Sequence, residues 1–157
     1  MDNNVFEFTY IFDTHKLLDQ ATDQNGYEYF TDPATNEVLT FWKIKRIDSG
    51  YGKEISDYFS KILGCDVRPR FYIQESKNDL GWHTDRGTQC SINFVLSESS
   101  EPVSFRDGDY WYKLALLNVQ NEHAVLNPKT DRVLFKLSIF DKTYYDVKDI
   151  LKKELCQ

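Results

Sequence analysis

Between residues 67 and 141 the sequence breaks into short extended segments separated by turn signals, and this succession most narrows the folds open to the chain. Residues 70–75 alternate, with Arg70, Tyr72 and Gln74 on one face. A polar loop at Lys77, Asn78 and Asp79 leads to a second segment carrying His83 and Asp85. Residues 90–96 come next, then the polar run 97–100. Residues 102–106 and 109–117 flank Asp107-Gly108, a strong two-residue hairpin signal. Residues 119–126 carry His123, and a turn at 127–130 feeds the last segment, 132–141. About seven short strands separated by regular turns predict a sandwich or jelly roll, not a βαβ fold.

The first 66 residues read as support for that core. Residues 5–12 alternate with Phe6, Phe8, Tyr10 and Phe12 on one face, the pattern of a half-buried strand. Residues 14–21 form a short helix capped by Asp13, with Leu17, Leu18 and Ala21 inward and His15 on the solvent side. Residues 27–31 and 38–44 are two more strands, joined by Asp32-Pro33-Ala34-Thr35-Asn36. Tyr51, Ile55, Tyr58, Phe59 and Ile62 then recur at helical spacing, and Gly64 ends that helix. A terminal helix at 146–155 buries Val147, Ile150, Leu151 and Leu155. The expectation is one domain over residues 1–157: strands and helical support in 1–66, the site-bearing core in 67–141, and a helix in 142–157.

Composition excludes several classes. Hydrophobic residues at 41% beside 28% charged ones argue for a packed core over disorder. The net charge of −6 disfavours a phosphate backbone, so no nucleic-acid partner is expected. Cys65, Cys90 and Cys156 are odd in number and scattered, which fits reduced thiols in a cytoplasmic setting. The start, Met1-Asp2-Asn3-Asn4, does not read as a signal peptide, and no apolar run is long enough to span a bilayer, so no membrane partner is expected.

The chemistry rests on Gly81-Trp82-His83-Thr84-Asp85 and on two residues further along the chain. In an extended segment His83 and Asp85 share a face. His123 lies downstream, and Arg132 stands nine residues beyond it. Two imidazoles and one carboxylate on one side of a metal are the ligand set of a non-haem Fe(II) oxygenase. Unmetallated, hydrogen-bonded histidines are the alternative, but two of the chain's three histidines fall on this pattern.

The ordered set His83, Asp85, His123, Arg132 resembles the Fe(II)- and 2-oxoglutarate-dependent oxygenases, in the prolyl-hydroxylase branch, over residues 70–141. That resemblance implies a mainly β protein with supporting helices and a double-stranded β-helix core, a cupin-like jelly roll. It implies His83, Asp85 and His123 as the metal ligands, with Fe(II) and 2-oxoglutarate as cofactor and cosubstrate. Arg132 would hold the far carboxylate, because a guanidinium engages both oxygens at once. Tyr72, Gln74 and Asn93 are candidate hydrogen-bond donors to the cosubstrate, and Arg70 a candidate contact to an anionic substrate. The strand from Arg132 has Arg132, Leu134, Lys136 and Ser138 on one face, and Val133, Phe135, Leu137 and Ile139 on the other. The apolar face is expected to pack on the helices. Leu134 departs from the family's Ser or Thr two residues after the arginine, and Lys136 is the residue that would supplement or replace the carboxylate contact. The activity implied is hydroxylation, with O2, of an amino acid, a peptidyl side chain or another small molecule. Two rivals stand beside it: a cupin-like metal-binding protein or isomerase without 2-oxoglutarate, and a non-catalytic jelly-roll interaction domain.

Overall fold

The computed structural model describes residues 3–98 and 101–156, so the end residues and the last half of the polar run 97–100 lie outside it. In chain order the elements are β1 (Val5–Glu7), α1 (Thr14–Thr22), β2 (Glu28–Thr31), β3 (Val38–Arg46), α2 (Gly50–Leu63), β4 (Val67–Gln74), β5 (Leu80–His83), β6 (Cys90–Val95), β7 (Val103–Phe105), β8 (Gly108–Tyr110), β9 (Leu114–Leu117), β10 (His123–Val125), β11 (Arg132–Ile139) and α3 (Tyr144–Leu155). Local chemistry explains the helix ends. The Asp13 side chain accepts from the Lys16 N–H at 3.1 Å and starts α1. Gly64, at φ 67°, closes α2 in the left-handed region that a side chain would resist. Thr143 caps α3 by accepting from the Asp146 N–H.

The strands form two antiparallel sheets. One runs β1-β9-β6-β11-β4-β3-β2 and the other β5-β10-β7-β8. From β4 to β11 the chain moves repeatedly between them, so four strands of each sheet interleave in sequence. The fold is a double-stranded β-helix. β1 extends the larger sheet at one edge, and β3 with β2 extends it at the other.

Period-two alternation decides what each face of the larger sheet carries. On the outer face Phe71, Ile92, Phe94, Phe135, Leu137 and Ile139 are buried together with Leu17, Ile55, Phe59, Val147 and Leu151 of the three helices. The β11 apolar face therefore packs on the helices, as its sequence requires. Gly52 shows how close α2 lies: a Cβ there would stand 2.5 Å from Ile47 Cδ1 and 3.0 Å from Phe135 Cε1. On the inner face, Val5, Ala115 and Leu117 pack against Val103, Phe105 and Val125 of the smaller sheet. Trp42, Ile44, Tyr72 and Leu134 make a second apolar cluster there.

Several segments differ from the sequence expectation, and the predicted segment 119–126 is a strand only over His123–Val125. The strand at 5–12 stops at Glu7, with one further backbone bond from Phe8 to Leu114 at 3.5 Å. Tyr10 and Phe12 still pack half-buried rings on the core, 5.0 Å from Phe59 and Phe94 respectively, so the alternation there reports side-chain packing without a ladder. The run 109–117 is two strands, because the chain crosses from the smaller sheet to the larger at Trp111-Tyr112-Lys113. The hairpin turn is Arg106-Asp107, since Phe105 pairs with Gly108 and draws that glycine into β8.

Candidate metal centre

β5 and β10 pair with His83 opposite His123. Directly opposed residues point to the same face, and the two rings stand 4.4 Å apart between centroids. β5 ends at His83, so Asp85 lies beyond the strand that the His-x-Asp spacing predicts. Its backbone places it instead: the Asp85 N–H donates to the Val119 carbonyl at 3.0 Å, and its carbonyl accepts from the Thr88 N–H at 3.4 Å. Asp85 Oδ1 then stands 3.4 Å from His83 Nε2 and 3.3 Å from His123 Nε2. All three donor atoms lie within 4.8 Å of one another, a grouping of His, Cys, Asp or Glu donors found once among the described residues.

Each imidazole is held from behind. His83 Nδ1 is 2.6 Å from the Gly81 carbonyl, and His123 Nδ1 is 2.8 Å from the Asn121 carbonyl. A carbonyl only accepts, so Nδ1 carries the proton in each neutral ring and Nε2 turns its lone pair toward Asp85. Lone pairs converging at such distances repel unless a cation or a proton lies among them. Burial pushes the His83 pKa down, but the hydrogen bonds to Asp85 and Gly81 outweigh it and leave it raised. A donor set of two nitrogens and one oxygen suits a divalent transition metal such as Fe(II).

Lys136 meets this site from the larger sheet. Its ammonium pairs with Asp85 Oδ2. The carboxylate is thereby divided, with Oδ2 held by Lys136 and Oδ1 facing the two imidazoles. Burial raises the Asp85 pKa, yet Lys136, together with hydrogen bonds from the imidazoles when Nε2 also carries a proton, holds it well below the usual carboxylate range. Burial likewise opposes the Lys136 charge, and Asp85 more than restores it. The lysine is thereby engaged by Asp85.

Arg132 sits at the other end of the same β11 face and is 3% exposed. Its Nη2 donates to the Tyr112 hydroxyl at 3.2 Å, while its buried Nε has no partner. Among the described residues no carboxylate pairs with it, and Asp131 accepts from the Ser76 N–H instead. Asn93 donates to the same Tyr112 hydroxyl at 3.2 Å and accepts from Ser91 at 2.9 Å. Gln74 pairs with Arg132 in the ladder. Its amide donates to the Asn78 and Val125 carbonyls, and its buried Oε1 has no partner. Tyr72 is buried against Trp42, ring to ring at 4.9 Å, with the Lys136 ammonium 5.7 Å from its centroid.

The interior between the two sheets thus gathers His83, Asp85, His123, Lys136, Tyr72, Asn93 and Arg132. His15 and Trp82 stand apart. His15 is exposed on α1, and Trp82 lies under the Arg106 guanidinium at 3.9 Å from its ring centroid. Tyr112 joins the site without any mark in the sequence, since its bond to Arg132 spans 20 residues and has no local signal. An open groove of about 940 Å³ runs along Phe8, Tyr10, Phe12, Trp111 and Leu114. It touches this interior through Tyr112, and none of the three metal-ligand candidates lines it.

Several solved structures share this arrangement of strands. A prolyl-4-hydroxylase from Pseudomonas putida aligns with TM-score 0.58 at 19% identity, covering 81% of this chain and 86% of that one. An oxidoreductase of the 2OG-Fe(II) oxygenase family from Burkholderia pseudomallei aligns with TM-score 0.53 at 14% identity, covering 81% and 79%. A viral collagen prolyl hydroxylase from Paramecium Bursaria Chlorella virus-1, solved as a 2OG complex, gives TM-score 0.54 at 8% identity, covering 80% and 87%. At these identities the likeness is one of fold. No protein-family model matches the chain, and no curated protein matches it.

Proposed function

We propose that this protein is an Fe(II)- and 2-oxoglutarate-dependent dioxygenase that hydroxylates an amino acid, a peptidyl side chain or a related small molecule. The observation that carries this reading is Arg132. A buried guanidinium whose Nε lacks an acceptor, in an interior that also holds a two-histidine, one-carboxylate donor set, calls for an anionic ligand inside the fold. A metal-binding jelly roll that takes no 2-oxo acid has no use for that cation.

In this reading His83 Nε2, His123 Nε2 and Asp85 Oδ1 hold the metal, and Arg132 with Tyr112 receives the distal carboxylate of 2-oxoglutarate. Bound iron would supply the activation of O2 coupled to decarboxylation of the 2-oxo acid. The chain's own residues orient and seal. The Gly81 and Asn121 carbonyls keep both Nδ1 protons in place, and Lys136 keeps Asp85 Oδ2 occupied so that Oδ1 alone is offered. Trp42, Ile44, Tyr72 and Leu134 are buried on the same inner face and exclude water from it.

The test is an anaerobic titration of apoprotein with Fe(II) and then 2-oxoglutarate, watching for the visible charge-transfer band of a chelated 2-oxo acid. A saturable band in the wild type, absent from Arg132→Ala and His123→Ala, is expected. Metal binding without the band would replace this reading with a cupin-like metal protein, and no metal binding would leave an interaction domain.

A further inference from the structure

The inner face of the larger sheet is cationic at the end where Lys136 meets Asp85. Arg46, Arg70 and Lys136 are ladder neighbours across β3, β4 and β11, and Arg68 lies two residues before Arg70 on the same strand face. Three of these four have their own carboxylate. Arg46 pairs with Glu28 at 2.6 Å, Arg68 with Asp66 at 3.3 Å, and Lys136 with Asp85. Arg70 does not. Among the described residues its guanidinium has neither a carboxylate nor a hydrogen-bond acceptor, although the chain carries 25 acidic residues against 19 basic ones.

Its position makes that omission informative. Arg70 is half-buried and shares the inward face with Tyr72 and Gln74, which are buried inside the fold. It stands one strand, about 4.8 Å, from Lys136, and its charge works against the protonated state of that lysine. Two like charges side by side near a low-dielectric interior repel, and the acid at hand, Asp85, pairs with Lys136 and not with Arg70. An incoming anion would relieve that repulsion, and a guanidinium fork holds a carboxylate or phosphate through paired hydrogen bonds.

We propose that Arg70 is the anchor for an anionic group on the primary substrate, a carboxylate or a phosphate. The proposal rests on the dioxygenase reading for what becomes of the anion, but not for its binding. Arg70 thereby selects acidic substrates over their neutral isosteres at the rim of the metal site.

The test tracks the Arg70 Nε–Hε resonance, assigned by its loss in Arg70→Gln, in Zn(II)-loaded protein with saturating 2-oxoglutarate. Three probes are titrated: N-acetyl-L-aspartate amide, the neutral N-acetyl-L-asparagine amide, and methyl phosphate. At least one anion is expected to shift Arg70 saturably, with a dissociation constant about tenfold below that at exposed Arg86, the scale of one charge-assisted contact. The neutral amide leaves Arg70 unmoved, and the tighter anion tells carboxylate from phosphate. An Arg70 response no stronger than that of Arg86, or equal binding of the neutral amide, overturns the proposal. Arg70→Gln must also keep the charge-transfer band with Fe(II) and 2-oxoglutarate. Loss of the band in that variant would place Arg70 in the cosubstrate site and overturn its role as a substrate anchor. A wild type without the band would defeat the dioxygenase reading while leaving the anion titration to stand on its own result.

Discussion

Replacing Lys136 with methionine tests the division of the Asp85 carboxylate. The two side chains are 15% and 13% exposed, so their pair is largely shielded from water. Methionine keeps much of the stem but removes the ammonium, leaving Asp85 buried with only two imidazoles nearby at 3.3 and 3.4 Å. Breaking a buried pair from one side costs about 3–5 kcal/mol. Protonation of an imidazole recovers part of this, so about 3 kcal/mol is expected in metal-free protein. For a chain of this length each kcal/mol lowers the melting temperature by about 2–4 °C, giving a drop of about 6–12 °C. A bound divalent metal neutralises Asp85 itself. With Mn(II) at saturation the penalty should then shrink to that of one lost hydrogen bond, about 1 kcal/mol or about 2–4 °C. Calorimetric melts of wild type and Lys136→Met, each with and without Mn(II), read both numbers. Equal penalties in the two states, or none without metal, would refute the claim that Lys136 balances the Asp85 charge in the metal-free protein.

The same geometry sets three further outcomes. Arg132→Ala should weaken 2-oxoglutarate binding by about 10- to 100-fold, the loss of a charge-assisted pair, with Mn(II) affinity unchanged, both read by calorimetric titration. Asp85 has a folded pKa well below its usual 3.8, so its pairing adds stability above that pH and loses it as pH falls through the folded value. Urea midpoints of metal-free protein should therefore decline in the acid range more steeply for wild type than for Asp85→Asn. Burial pushes the Cys90 thiol up to about 12, and Cys65 is also raised by burial, whereas Cys156 is exposed. A thiol reagent at neutral pH should accordingly label Cys156 first, and Cys90 only on unfolding.

Much of the fold was legible because alternation is a local property. The β11 segment shows in its own residues that Phe135, Leu137 and Ile139 share one face while Arg132, Lys136 and Ser138 share the other, and the structure keeps that division. Gly64 and Asp13 mark helix ends through backbone preferences that need no partner. The pattern of His83, Asp85 and His123 was visible for the same reason, since the spacing of ligand types survives without knowledge of packing. Alternation says which face a side chain takes, however, and not whether a ladder forms. That is why Tyr10 and Phe12 mimic a strand, and why the run through Trp111 conceals a crossing between sheets. What only the tertiary structure decided is which charges meet. Lys136 reaches Asp85 across 51 residues, Arg132 reaches Tyr112 across 20, and Arg70 reaches no acid among the described residues. Such pairings depend on how two sheets stack face to face. Coulombic attraction and desolvation act through space at that distance, and the order of residues along the chain does not record it.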